Sequence, residues 1–368
     1  SIRYGEGDME KLHESLGASF VLILAVAAVL NLAVFLLIDP IMYLLQVPGE
    51  IYDMMRQYLW VIFWGILATF LYNYFACLLR AVGNSVAPLI FLAVSSVMNI
   101  ALDLWFVLGF RWGVAGAAFA TVLSQYASGI GLAIYTYWKT PEFRIQMKYL
   151  KPKPAMLKEI GQFSFLTSVQ QSVMNLGILM VQGLVNSFGT VIMAAFAAAV
   201  KIDSFAYMPA QEFGNAFSTY VAQNYGAGKT ERIRKGIKTA VVLSVGFCLV
   251  ISLLVFIFAG PLMTIFVDPA ETEILEAGVE YLRIEGAFYC GIGCLFLLYG
   301  LYRAIKRPGM SVVLTIFSLG TRVVLAYVLS GIDFIGVTGI WWSVPIGWAL
   351  ADLVGFVYYK KNKKKLFN

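Results

Sequence analysis

The stretch "YGEGDMEKL" at 4–12 returns as "YGAGKTERI" at 225–233, and this repetition decides the fold. At the same offset of 221, Pro40 falls on Pro261 and Pro48 on Pro269. After two extra residues the match resumes at an offset of 223. "YLW" (58–60) then pairs with "YLR" (281–283), "LLRAVGNS" (78–85) with "LYRAIKRP" (301–308), and "GVAGAA" (113–118) with "GVTGIW" (336–341). A match sustained in order over that length, with one small shift, marks two copies of one structural unit.

The unit is membrane-spanning. Of 368 residues 60% are apolar and only 13% charged, with a mean hydropathy of +0.79; a soluble chain carries about 25% charged residues. The apolar residues gather in ten runs of spanning length, at 17–38, 57–79, 87–109, 114–138, 160–185, 189–222, 239–265, 279–301, 310–330 and 336–359. Pro209 lies inside the long sixth run, where a kink or a stretch outside the hydrocarbon is expected. Basic residues occupy alternate connections: Lys139 to Lys158, Lys229 to Lys238, Arg303 to Arg307, and the tail "KKNKKK". The intervening loops hold Asp39, Glu50 and Asp53, or Asp268, Glu271, Glu273 and Glu276. By the positive-inside rule both ends of the chain are cytoplasmic, as an even number of spans requires.

The fold class expected is therefore an all-α polytopic membrane protein of two homologous helical bundles around a central cleft. An even number of spans between equivalents makes the repeat parallel, its axis along the membrane normal. The second copy has about 65 residues, holding two spans, ahead of its "YGAGK", whereas three residues precede "YGEGD". The chain also begins with Ser. Ten spans present of twelve are expected, with an N-terminal lobe at 1–147 (four of six spans) and a C-terminal lobe at 148–368 (six).

Several function classes are excluded. The net charge of +6 follows membrane topology and does not form a nucleic-acid patch. The cysteines Cys77, Cys248, Cys290 and Cys294 lie inside apolar runs as small packing residues, with no His or further Cys spaced to make a metal site. The single histidine, His13, is expected to be solvated. No HExxH, DDxxD, GxSxG or P-loop occurs, so enzymatic chemistry and cofactors are not expected.

Polar residues inside apolar runs are the candidates for function. In "SSVMNIALDLWFV" (95–107), Asn99 and Asp103 share one helix face, with Ser95 a turn earlier. Asp103 lies about as far from the outer end of its run as Thr121 does from the start of the next, a depth of roughly 10 Å. A carboxylate, an amide oxygen and a hydroxyl suit a sodium ion or a proton. Adding 223 maps these residues to Arg322, Ala326 and Val344, so the second half has no copy of the triad. The competing reading of Asp103 is a backbone hydrogen bond near a helix end. In the second half Asp203, Glu212 and Glu285 are candidate substrate or proton groups, with Gln171 and Asn175 as neutral hydrogen-bonding groups on a cavity wall. Lys201 beside Asp203, and Arg283 beside Glu285, offer ion pairs as the alternative, and a buried structural hydrogen bond is the alternative for Glu212.

"LLRAVGNSVAPLIFLAVSSVMNIALDLWFVLGFRWGVAGAAFATVLSQ" (78–125), "SFAYMPAQEFGNAFSTYVAQNYGAGK" (204–229) and "LYRAIKRPGMS" (301–311), in this order, resemble the bacterial MATE (multidrug and toxic compound extrusion) family. The resemblance covers essentially the whole chain. It implies a secondary antiporter in the plasma membrane, a multi-pass monomer that exports small organic, often cationic, compounds in exchange for Na⁺ or H⁺ by alternating access. It also implies that Asn99, Asp103 and Thr121 line a cation site in the N-terminal lobe, completed by an Asp on the family's first span. Family members carry further acids on the seventh span of twelve and in the middle of the tenth; here 160–185 and 292–301 have none. A flippase for a lipid-linked saccharide, from the same wider superfamily, is the alternative.

Overall fold

The structure, a computed structural model, describes residues 1–44 and 47–366, without the side chains of Leu44, Lys364 and Lys365. Two lysines of the basic tail thus lie outside the described side chains. The described residues are helical, with no strand among them. All ten apolar runs are helices, and eight helices are long and apolar enough to cross a membrane, or nine with one bent pair taken as a single span. The run 160–185 lies in a helix of sufficient length, Pro154–Asn186, but falls outside that set because Gln170, Gln171, Asn175 and Gln182 make it too polar.

The chain divides into two compact units, Gly7–Gly161 and Ser1–Glu6 with Gln162–Asn368. The boundary therefore falls at 161, beyond the 147 expected, and the first six residues join the second unit. Local packing explains the shift. The Tyr149 carbonyl occupies the place where a Cβ on Gly17 would stand. The Lys153 ammonium pairs with Glu14 at 2.6 Å, and Tyr149 stacks on His13 at 5.7 Å between ring centroids. His13 is thus half-buried against the linker, whereas full solvation was expected.

In the first unit α2 (Met9–Leu44) is followed by α3 (Gly49–Ile62) and α4 (Gly65–Ala81), together one broken span. Carbonyls freed at the break are satisfied from outside: Asn31 donates to the Phe63 carbonyl at 2.7 Å and the Tyr126 hydroxyl to that of Trp64 at 3.0 Å. The next helices are α5 (Val86–Leu104), continuing through a π-turn at Trp105–Gly109, and α6 (Gly113–Lys139). Small residues on α4 and α6 let these two pack closely; the Ala68 carbonyl is 3.0 Å from where a Cβ on Gly129 would stand. Cys77 is exposed, not buried as expected.

The second unit holds α1 (Ile2–Glu6), α7 (Pro154–Asn186, from 162), α8 (Thr190–Gly226) and α9 (Thr230–Met263). It continues with α10 (Thr272–Gly286) and α11 (Tyr289–Ala304), bent by 52°, then α12 (Pro308–Thr315), a π-turn at Ile316–Gly320, α13 (Thr321–Ser330) and α14 (Val337–Leu366). Its core is aromatic: Trp341 stacks on Phe196 at 5.7 Å and meets the Tyr281 edge at 4.9 Å. Helix α8 is continuous through Pro209. Large apolar residues such as Leu32 and Leu36 on α2, Val97 on α5 and Val242 on α9 point outward, the arrangement lipid requires.

The backbone preserves the repeat where the side chains have diverged. Positive φ occurs at Gly7 and Gly228, at Gly83 and Lys306, and at Gly113 and Gly336, three pairs at the sequence offsets given above. Glycine takes this conformation freely, but Lys306 at φ 59° carries the left-handed penalty of about 1–2 kcal/mol. Lys306→Gly is expected to stabilise the protein by about 1 kcal/mol, since the ion pair it loses with Glu6 is 4.0 Å long and partly exposed. Thermal unfolding in detergent checks this; an unchanged or lower midpoint would count against strain at Lys306.

Candidate cation site and buried acid pair

The first site is built by α5 and α6. Ser95 donates to the Ser124 carbonyl at 2.8 Å, setting the register between these helices. One turn further Asn99 Nδ2 donates to Thr121 Oγ1 at 3.4 Å, and Thr121 donates to its own helix at Ala117, 3.0 Å away. The structure thus brings Asn99 and Thr121 together as the sequence led one to expect. Because the amide nitrogen and the hydroxyl proton are both used, and Thr121 Oγ1 already accepts from Asn99, the Asn99 oxygen and one Thr121 lone pair remain as acceptors. Asp103 lies a turn beyond Asn99, just ahead of the π-turn at Trp105, and such turns recur at functional sites. Its Oδ1 is buried with no hydrogen-bond partner among the described residues. The alternative in which this oxygen takes a backbone hydrogen bond is therefore not what the structure contains. One carboxylate and two neutral oxygens fit a monovalent cation or a proton; among the described residues no three His, Cys, Asp or Glu gather as a divalent metal would need.

A second cluster lies in the other unit. Asp203 on α8 is 2% exposed and Glu285 on α10 is 4% exposed. The Tyr289 hydroxyl donates to Asp203 Oδ1, and the charges of Asp203 and Glu285 reach each other and Tyr281. Arg322 of α13 is the basic group whose charge reaches both. The ion pairs considered from sequence neighbours do not form. The Lys201 ammonium sits over the Phe266 ring at 5.7 Å and the Arg283 guanidinium over Phe256 at 5.6 Å. Residues two apart on a helix point about 200° apart, to nearly opposite faces, so the tertiary partner differs from the sequence neighbour.

The remaining candidates separate. Glu212 is exposed and accepts from Asn215 at 3.4 Å. Pro209 does not rotate it toward Asp203, which is buried on another face of the continuous helix. Gln171 lines a small polar cavity of about 60 Å³ with Gln170, Gln211, Asn215 and Arg303; Asn175 and Glu212 are not in its lining. Arg303 reaches across to Asn215 Oδ1 at 3.3 Å, so Asn215 binds both an acid and a base. Sequence reasoning missed Asp352 of α14, 9% exposed, with a buried, unpartnered Oδ1. Its signal was present: a single acid in the apolar run "WALADLVGF" (348–356).

Repeated bundles of long apolar helices, broken spans and isolated buried polar groups define an integral membrane protein of transporter architecture. Residues 1–105 and 164–328 match the MatE family model, and the chain belongs to that family. It is 29% identical over 98% of its length to the probable multidrug resistance protein YpnP of Bacillus subtilis, covering 80% of that protein. It is 27% identical over 88% of its length to the probable multidrug resistance protein NorM of Thermotoga maritima, covering 68% of it. The fold is also that of the Vibrio cholerae MATE transporter VcmN in its bent form, with a TM-score of 0.90 at 22% identity, over 99% of this chain and 82% of that one.

Proposed function

We propose that this protein exports small organic compounds, many of them cationic, in exchange for Na⁺ or H⁺ entering through the Asn99–Asp103–Thr121 site. The observation that supports the coupling is the buried Asp103 oxygen with no partner among the described residues, one helical turn along from the Asn99–Thr121 contact. A carboxylate in this position costs roughly 2.5 kcal/mol or more on insertion scales, and a bound cation offsets that cost. Binding and release of the ion thus switch the charge inside the membrane, a differential interaction that can bias two conformations of an alternating-access cycle. The names of the relatives support drugs as cargo. The charge pattern of the loops supports a plasma-membrane orientation with both ends of this chain cytoplasmic, and we read the protein as a monomer.

The test is efflux of a fluorescent organic cation from proteoliposomes of the full-length protein under an imposed sodium or proton gradient. Efflux driven by either gradient supports the reading. Absence of efflux under both would overturn it and favour lipid-linked saccharide flipping. Asn99→Ala removes one oxygen and leaves the carboxylate. The ion concentration for half-maximal efflux is expected to rise at least about 10-fold, the lower end of what even outer-sphere partners of a bound ion contribute. An unchanged ion dependence would remove Asn99 from the site.

A further inference from the structure

A narrow apolar crevice opens on the surface of the second unit. Helices α9 and α14 both pack against α11, and between them lies a cavity of about 90 Å³. Ile237 and Val241 of α9 form one wall, Phe356 and Tyr359 of α14 the other, and Leu297 and Leu301 of α11 the floor. The two leucines are buried and Phe356 is exposed, so the slot is closed below and open at its mouth. Its lining runs along α11 from Cys294 to Leu301, about 10 Å of helix. Among the described residues, none that line it is charged at neutral pH.

The rim is basic, and the same helical register makes it so on both walls. Arg234 and Lys238 share one face of α9 with Ile237 and Val241, at positions i, i+4, i+3 and i+7. On α14, Lys360 and Lys363 stand in the same pattern with Phe356 and Tyr359. All four cations are exposed, and the Arg234 charge reaches Tyr359 on the opposite wall. Glu231 pairs with Arg234 at 3.2 Å but is largely exposed, so it offsets little of the positive field. These residues lie where α9 leaves one basic loop and α14 enters the basic tail, the end at which a helix bundle meets anionic headgroups.

Surface lysines or an apolar slot would each be ordinary alone. An apolar slot directly below four cations matches an amphiphile with a negative head. A cationic compound would be repelled by the rim, and a zwitterionic lipid would gain less from it.

We propose that the crevice between α9 and α14 binds one anionic phospholipid from the leaflet beside the basic loops. An acyl chain lies between Val241 and Phe356, and the phosphate is held by Arg234, Lys238, Lys360 and Lys363. The site is built within the second unit, and its occupancy does not depend on the antiport reading.

The test is native mass spectrometry of the full-length protein, delipidated in detergent and titrated with phosphatidylglycerol or phosphatidylcholine of matched chains. One phosphatidylglycerol is expected to bind in preference to phosphatidylcholine. Lys360→Gln combined with Lys363→Gln is expected to lower phosphatidylglycerol affinity about 25-fold, about fivefold for each cation at a membrane surface. Phosphatidylcholine binding should change little. Val241→Phe fills the slot but keeps every cation, and should weaken both lipids. Glycerol 3-phosphate, which has the phosphate without the chains, should not bind. Equal binding of the two lipids, or unchanged phosphatidylglycerol affinity in the lysine variant, would overturn the proposal. So would wild-type affinity in Val241→Phe, which would put the lipid outside the slot. Glycerol 3-phosphate binding as tightly as the lipid would make this a phosphate site. Displacement of the lipid by tetraphenylphosphonium would make it a port for cargo; either result also overturns the proposal.

Discussion

Asp103→Asn is expected to abolish gradient-driven efflux while leaving the protein folded. The substitution keeps shape and volume and removes only the charge. The cation set contains one carboxylate and two neutral oxygens, so most of the attraction for a monovalent ion resides in that one group. Its loss should weaken coupling at least about 10-fold and reduce transport to background. Stability moves the other way. The Asp103 oxygen has no hydrogen-bond partner to lose, and a neutral amide is cheaper than a carboxylate in lipid, by an amount on the order of 2 kcal/mol. A mutant at least as heat-resistant as wild type, yet inactive in proteoliposomes, is the expected combination. Efflux that persists unchanged would move the coupling away from α5. A mutant that fails to fold would make Asp103 a structural residue.

Gly300→Val should have the largest effect on stability. At the crossing of α8 and α11 a Cβ on Gly300 would stand 2.7 Å from the Gly214 carbonyl oxygen, and one on Gly214 would stand 3.0 Å from the Phe296 carbonyl oxygen. These are backbone atoms, which no rotamer change can move aside. In lipid, where apolar surface gains little by meeting other apolar surface, such close approach is what holds helices together. Overpacking a tight contact costs about 1–3 kcal/mol, and the backbone clash places Gly300→Val at the upper end. Separating α8 from α11 also pulls Asp203 away from Tyr289. Gly246→Ala on α9, where a Cβ meets nothing within 4 Å, is the control. It should be neutral or stabilising by up to about 1 kcal/mol. If both variants unfold at the same temperature, the glycine crossing does not hold the unit together.

The sequence by itself determined the class and its repetition. Long apolar runs with charges confined to loops have no low-energy state but helices crossing a bilayer, because lipid leaves the backbone no partner except itself. All ten runs are helices, and the three repeat-related turns with positive φ show that the offsets read from "YGEG" and "GVAG" reflect backbone geometry. The Asn99–Thr121 contact was legible in part: consecutive antiparallel helices bring residues of similar depth together, but the sequence puts Asp103 level with Thr121, whereas Asn99, one turn further in, is the residue that meets the hydroxyl. The domain boundary at 161 was not, since it rests on Tyr149 and Lys153 folding back on Gly17 and Glu14, contacts far apart in the chain. Nor was the meeting of Asp203 with Tyr289. Asp203 has a basic residue two positions away in sequence, and only the packing of α8 against the bend of α10 and α11 replaces that neighbour with the Tyr289 hydroxyl. Hydropathy and helix period act along one chain segment at a time. Which buried acid faces which depends on how several helices rotate to close their packing, and that is decided by the tertiary structure alone.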